Sequence, residues 1–415
     1  MKKRTLILAI LACPMAPHGT SARLGAGLSD NIEYVDGVKY TSLSAAISAC
    51  PPAGCIIFDT HPETFTTDPF NGSASKGIDV YFGAGVWTTN VQLSPKSVQR
   101  LIGTGRIFGT TGGTIIRAGG SMPVGTPLVK LDGTQGVRAE NLTIDCNSVA
   151  GSTGIFATDI NEQAGAINDV IVNCAAFGVN VDATLFSVIP AQNYIMRDLE
   201  IFPQGAGSAS TIGLRMRGNG GGGPGEVRNI TCSGQVGNVI KSSVQIESFN
   251  QAVITNIHGE QSAKVLDFNG TTTCPSGVTV INVSGGPAVA GGQNVVDLSA
   301  ATCGANGLYF TNITKNRATN SLNDVPRGFV LTDANITAYI VGPGALGREE
   351  IYSTSPSIPK FINSQFQLLN TPFASLGTPP NGTFTYCNNC TVANPCASGG
   401  TGAFAKRLNG AWVCN

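Results

Sequence analysis

The sequence predicts an all-β chain, a parallel β-helix (solenoid). The grounds are a recurrent phrase, a second alternation within each recurrence, and the scarcity of helical stripes. The phrase is Asn or Asp followed by apolar–any–apolar, as in Asn141-Leu142-Thr143-Ile144. It returns behind Asp169, Asp198, Asn229, Asn256, Asn282, Asn312 and Asn335, at spacings of 28, 29, 31, 27, 26, 30 and 23 residues. A period in this range marks stacked supersecondary units. Within the periods a two-residue alternation follows, at Gly178–Asp182, Gly213–Arg217, Val244–Glu247, Val265–Asp267, Asn294–Asp297 and Gly328–Leu331. Alternation with β-branched residues and Gly/Asn/Asp punctuation reads as short strands. Two or three such strands per period fit one coil, each strand pairing ~4.8 Å from its counterpart in the next. The recurrent Asn or Asp suits the corner before a strand, because both tolerate left-handed backbone and bond their own main chain.

Taken in order, Met1 to Ala22 reads as a signal peptide: Lys2-Lys3-Arg4, the apolar run Leu6–Ala12, then Thr20-Ser21-Ala22. The alternative is a lipid anchor at Cys13, behind Ile10-Leu11-Ala12. No other stretch approaches the ~20 apolar residues of a membrane span. Removing the leader leaves 22 basic residues against 25 acidic ones, a balance that gives no reason to expect nucleic acid. Thr41–Cys50 is the best helix, with Leu43, Ala46, Ile47 and Cys50 on one face and Thr41 or Ser42 as its cap. Cys55–Phe58 follows as a strand, and Ile78–Phe82, Gln99–Gly103 and Gly113–Arg117 read as first coils. Gly218–Gly225 is a loop between coils, without the Lys-Ser/Thr of a phosphate cradle. Lys360–Leu369 adds a last strand.

Asp36-Gly37, the helix Ser42–Cys50, the Gly turn and the strand after it together resemble the N-terminal signature of the pectate-lyase superfamily. The resemblance spans residues 34–340. It implies a right-handed coil with a short N-terminal helical cap, and extracellular polysaccharide as partner. It does not carry an active site with it. The Asn-Thr-Asp, Asp-Asp, Gly-His-Gly and Arg-Ile-Lys motifs of the pectin hydrolases are missing from this sequence, as is the Arg-x-Pro-x-x-Arg segment of the calcium-dependent lyases.

Export makes the cysteines disulfide candidates. Cys50 and Cys55 flank a tight turn. Cys146 and Cys174 lie at like positions one coil apart, as do Cys274 and Cys303, while Cys232 sits at a core strand position as a buried thiol. The tail holds Cys387, Cys390, Cys396 and Cys414, read as two disulfides of unassigned pairing, with zinc as the alternative. Asn409-Gly410 is the turn of a hairpin there. The predicted domains are a signal peptide (1–22), an N-terminal lead and cap (23–76), the parallel β-helix (77–342), a cap or linker (343–376) and a small disulfide-rich C-terminal module (377–415).

Histidine is nearly absent: His61 falls near the cap and His258 in a repeat strand, where an incidental imidazole is expected. No Ser–His–Asp arrangement is legible. Stacking the second strands places Asp182, Arg217 and Glu247 at equivalent positions of successive coils, beside the row Asn180, Arg215 and Gln245. Carboxylates two coils apart would lie ~9.6 Å from each other, at the upper edge of the ~6.5–9.5 Å of inverting glycosidases. The first column is the catalytic candidate and the second the substrate-binding one; the competing reading is a surface ladder of ion pairs. No cofactor is expected. Calcium is the one candidate ion, at Asp267 and Asp297, which otherwise read as turn residues. The expectation is a secreted protein that interacts with extracellular polysaccharide, as a polysaccharide lyase or glycoside hydrolase. A non-catalytic surface adhesin or a phage-tail-like structural protein is the alternative, as monomer or homotrimer.

Overall fold

The structure, a computed structural model, describes residues 31–415 apart from 74–75, 108–111, 134, 159, 186–192, 219–224, 248, 250, 270–275, 287–292, 299–307, 316–326, 332–337, 342–350, 354–359, 363–369 and 380. The signal-peptide and Cys13 readings, the Cys274–Cys303 pair, the Asn335 corner and most of the Gly218–Gly225 loop lie outside the described residues. The chain forms two compact units, Met1–Leu214 and Arg215–Asn415. Both are parallel β-solenoids, so the predicted fold class is the observed one.

In the first unit the cap comes as expected. The helix is Leu43–Ala49; Ser42 is extended and its Oγ accepts the Ala45 N–H at 3.3 Å, while the Leu43 N–H donates to Glu63 Oε1 at 2.6 Å. Leu43, Ala46 and Ile47 are buried. The helix stops at Cys50, tied to Cys55 with 5.6 Å between Cα atoms, inside the window for a bridge. Gly54, at φ +100°, sits where a Cβ would lie 2.0 Å from the Gly77 carbonyl oxygen, so the turn admits only glycine.

Coils then stack by parallel pairing. Cys55–Asp59 pairs with Ile78–Phe82, which pairs with Gln99–Ile102, and that with Arg138–Glu140. Gly165–Ile167 and then Ile195–Phe202 continue the ladder. The register lines up Ile57, Val80, Leu101, Ala139, Ala166 and Met196 as one column, every member fully buried. Burying a large aliphatic side chain is worth ~1.5–3 kcal/mol, so the column is the spine of the unit. The strands Pro127–Leu131, Thr153–Ala157 and Phe177–Asp182 form a second sheet. Cys146 and Cys174 are joined across adjacent coils, 4.9 Å between Cα atoms.

The second unit repeats the plan with longer strands. Gly225–Ser233, Ala252–Glu260, Thr279–Gly285 and Leu308–Lys315 pair in parallel and stack Ile230, Ile257, Val283 and Ile313. Ile240–Glu247, Ser262–Phe268, Asn294–Asp297 and Arg327–Leu331 make the second sheet. Asn229, Asn256, Asn282 and Asn312 have φ of 54–58°, and the amides bond in series: Asn256 Nδ2 to Asn229 Oδ1, Asn282 to Asn256, Asn312 to Asn282, at 2.7–2.8 Å. The corner residue therefore acts as a left-handed kink inside a long strand. In the first unit the same kink, at Asn141 and Asn168, separates two short ones.

One corner differs from the sequence reading. The kink falls on Asn168, at φ 57°. Asp169 instead occupies the buried column between Leu142 and Leu199, both fully buried like itself. Its Oδ1 accepts the Leu142 N–H at 3.0 Å and its Oδ2 has no hydrogen-bond partner among the described residues. Burial pushes its pKa well above the usual carboxylate range.

The tail is an antiparallel sheet of Phe384–Cys387, Ala403–Leu408 and Ala411–Cys414, the last two joined by the predicted Asn409-Gly410 turn. Both turn residues have positive φ, as a two-residue hairpin turn demands. The disulfides are Cys387–Cys390 and Cys396–Cys414, which leaves no thiolate set for zinc. They pack with Trp412, Ala405 and Leu376 in a small core. Cys232 is a buried thiol, raised to about 12 by burial.

Candidate functional site

The second sheet of the second unit carries the site, since successive polar residues there come from successive coils. Arg215 and Arg217, two apart on one strand, share a face. Both reach Glu247: Arg215 Nε lies 3.3 Å from Oε1 and Arg217 Nε 3.5 Å from Oε2. The carboxylate is thus held between two guanidinium groups. Arg217 is the open member, with its side chain 44% exposed against 15% for Arg215 and 17% for Glu247.

Gln245 pairs in register with Asp267, and Asp267 with Asp297. Gln245 Nε2 donates to Asp267 Oδ2 at 2.8 Å, Ser242 Oγ donates to the same oxygen at 2.9 Å, and Lys264 Nζ donates to Oδ1 at 2.9 Å. Lys264 Nζ also lies 3.4 Å from Asp297 Oδ2, which accepts from Asn294 Nδ2 at 2.6 Å. Burial works against the charge on Lys264, yet Asp267 and Asp297 outweigh it and raise its pKa. The sequence reading of Asp267 and Asp297 as turn residues does not hold: both are buried strand residues. The position between them is taken by an ammonium group. No cluster of three or more His, Cys, Asp or Glu suited to a metal occurs among the described residues.

Asp182 and Asn180 belong to the first unit. Asp182 is buried, and its Oδ1 accepts the Thr184 N–H at 3.2 Å and the Thr184 hydroxyl, so it caps the 3-10 turn Ala183–Leu185 that ends its strand. Asn180 is paired in register with Phe156 and is largely buried.

Sequence reasoning missed Ser242, Lys264 and Asn294. A signal existed: each stands three residues before Gln245, Asp267 and Asp297, one pair per coil. It also missed the setting of His258, whose two ring nitrogens are engaged, Nδ1 with Ser284 Oγ at 2.8 Å and Nε2 with Glu260 Oε1 at 3.0 Å.

A parallel β-solenoid with polar rows along its sheets is the class that fold and site define. Among solved structures the chain is similar to the Geobacillus virus E2 protein ORF18, at 15% identity, 91% of this chain, 69% of that one and a TM-score of 0.38. It is similar to the gp42 tailspike of Acinetobacter phage vb_AbaP_AS12, at 12%, 83%, 73% and 0.40. The catalytic domain of a GH87 alpha-1,3-glucanase is a third, at 12%, 74%, 67% and 0.28. No family model matches the sequence, and no curated protein matches it.

Proposed function

We propose that this is an exported β-helix protein of pectate-lyase-like architecture that binds an acidic polysaccharide along the second sheet, with lyase or hydrolase action at the same row. The observation that carries the reading is Arg217: a half-exposed guanidinium, pinned by Glu247 beside a second arginine. Guanidinium groups take carboxylates in bidentate fashion, and coils repeating every ~4.8 Å offer successive polar groups at the scale of successive sugar residues. The disulfides support export. Among the described residues no helix is long and apolar enough to cross a membrane.

The test is incubation of the purified protein with acidic and neutral polysaccharides, with and without calcium. Binding, ultraviolet absorbance of unsaturated ends and reducing ends are followed together. Saturable binding to acidic chains, weakened about tenfold or more in Arg217→Ala, is the expected result, since a charge-assisted hydrogen bond is worth ~1.5–3 kcal/mol. Unsaturated ends mean a lyase, and reducing ends alone a hydrolase. Turnover unchanged in an Asp182→Ala, Glu247→Ala double variant removes both carboxylates from the chemistry. Binding that ignores Arg217→Ala overturns the proposal.

A further inference from the structure

The first sheet of the second unit brings a serine, a histidine and a glutamate into one hydrogen-bonded row. His258 and Glu260 stand two apart on the strand Ala252–Glu260, so they share a face, and Ser284 pairs with His258 in register from the next coil. Ser284 Oγ lies 2.8 Å from His258 Nδ1, and His258 Nε2 lies 3.0 Å from Glu260 Oε1. A carboxylate only accepts, so Nε2 of a neutral imidazole carries the proton given to Glu260. Nδ1 then faces the Ser284 hydroxyl with its lone pair. Backbone space is kept for this arrangement. At Gly286 a Cβ would lie 2.3 Å from Glu260 Cγ, so any other residue would displace the carboxylate arm. The side chains of His258 and Glu260 are 36% and 42% exposed, which leaves the cluster open to a large substrate.

We propose that Ser284, His258 and Glu260 form an acyl-transfer site that hydrolyses esters borne on a polymer. The substrate class, O-acyl groups on a glycan, rests on the polysaccharide reading above; the nucleophile does not. Hydrogen-bonded nucleophile and base with a third group orienting the base is the general signature of such sites. Ser284 Oγ bonds to the ester carbonyl carbon as its proton passes to His258 Nδ1. The tetrahedral adduct collapses, the bond to the alcohol oxygen breaks, and the departing alkoxide takes the proton from Nδ1. Water then attacks the acyl-serine, giving its proton to Nδ1, and the carboxylic acid leaves as Ser284 regains a proton. Glu260 positions the ring and stabilises the imidazolium.

The test uses the full-length protein with three probes: p-nitrophenyl acetate, a fluorophosphonate, and a chemically acetylated acidic polysaccharide. Wild type should release p-nitrophenol and acetate and carry the phosphonyl adduct on the Ser284 peptide. Ser284→Ala and His258→Gln should lose about 10²-fold or more, the scale of general-base catalysis, and Glu260→Gln should fall between, with circular dichroism unchanged in all three. Hydrolysis and labelling of the small probes without acetate release from the glycan would sink the substrate class and leave the nucleophile. Equal rates in Ser284→Ala, or an adduct elsewhere, would overturn the site itself.

Discussion

Two of the polar clusters of the second unit, one on each sheet, differ in how they meet solvent. On the second sheet, Lys264 with Asp267 and Asp297 is mostly withdrawn from water, with side chains 20%, 0% and 2% exposed, and one ammonium faces both carboxylates. On the first sheet, His258 and Glu260 are more than a third exposed. Buried ions must be matched, because an uncompensated charge away from water is costly. Exposed polar groups are released from that demand and can be spent on chemistry. The first cluster is therefore chiefly structural and the second chiefly reactive, although both stand on the same kind of strand.

Breaking the buried cluster should cost most. Lys264→Met leaves Asp267 and Asp297 facing each other, and the expected loss is about 3–5 kcal/mol in a denaturant titration at neutral pH. Lys264→Arg, which keeps a positive charge between the two carboxylates, should lose less than Lys264→Met. Equal losses in the two variants would mean that packing, not charge, is what Lys264 contributes.

Asp169 sharpens the contrast, since it is a buried carboxyl with no ammonium beside it. Its pKa is raised in the fold, so the neutral form fits the folded state and the unfolded chain ionises first. Stability is full below about pH 4, the unfolded value, and declines as pH rises toward the folded value. Asp169→Asn keeps an acceptor for the Leu142 N–H and removes the ionisation. It should match wild type in acid and exceed it by about 1–3 kcal/mol at neutral pH and above, by thermal melts across pH. Asp59 adds a similar decline between about pH 4 and about 7, where burial places it despite bonds from Trp87 and His61. Melts of Asp169→Asn that fall with pH as steeply as wild type would assign the whole decline to Asp59 or another group.

Exposed rows should matter less. Asn256→Ala removes two amide bonds from the ladder and leaves at φ 56° a residue without the polar side chain that eases left-handed backbone, for about 1–2 kcal/mol. Ser284→Ala should lie within about 0.5 kcal/mol of wild type while lowering acyl transfer about 10²-fold or more. A large stability loss there would erase the distinction between the clusters.

Much of the architecture was legible because it is periodic. The recurrent Asn phrase, the second strands, the cap helix Leu43–Ala49 and the Cys50–Cys55 and Cys146–Cys174 pairs all follow from residue spacing. What escaped depends on local register. Asn168-Asp169 offers two residues for one corner, and only the column of Leu142 and Leu199 decides that the carboxyl turns inward. The sequence puts Arg217 and Glu247 in one column and Arg215 in the neighbouring row, and the structure brings both arginines to the same carboxylate. Lys264 went unnoticed because its partners include a residue 33 positions away. His258 looked incidental because Ser284 reaches it only through the pairing of two coils.

The asparagine ladder bears on how the protein is produced. Asn282-Val283-Ser284 and Asn312-Ile313-Thr314 are acceptor sequences for N-linked sugar. The nitrogen such a sugar would occupy is the Nδ2 that each side chain donates to the previous coil. A secretory host that glycosylates these sites during synthesis would attach a bulky group at the bonds that join neighbouring coils, whereas a host without that machinery leaves the stack to close.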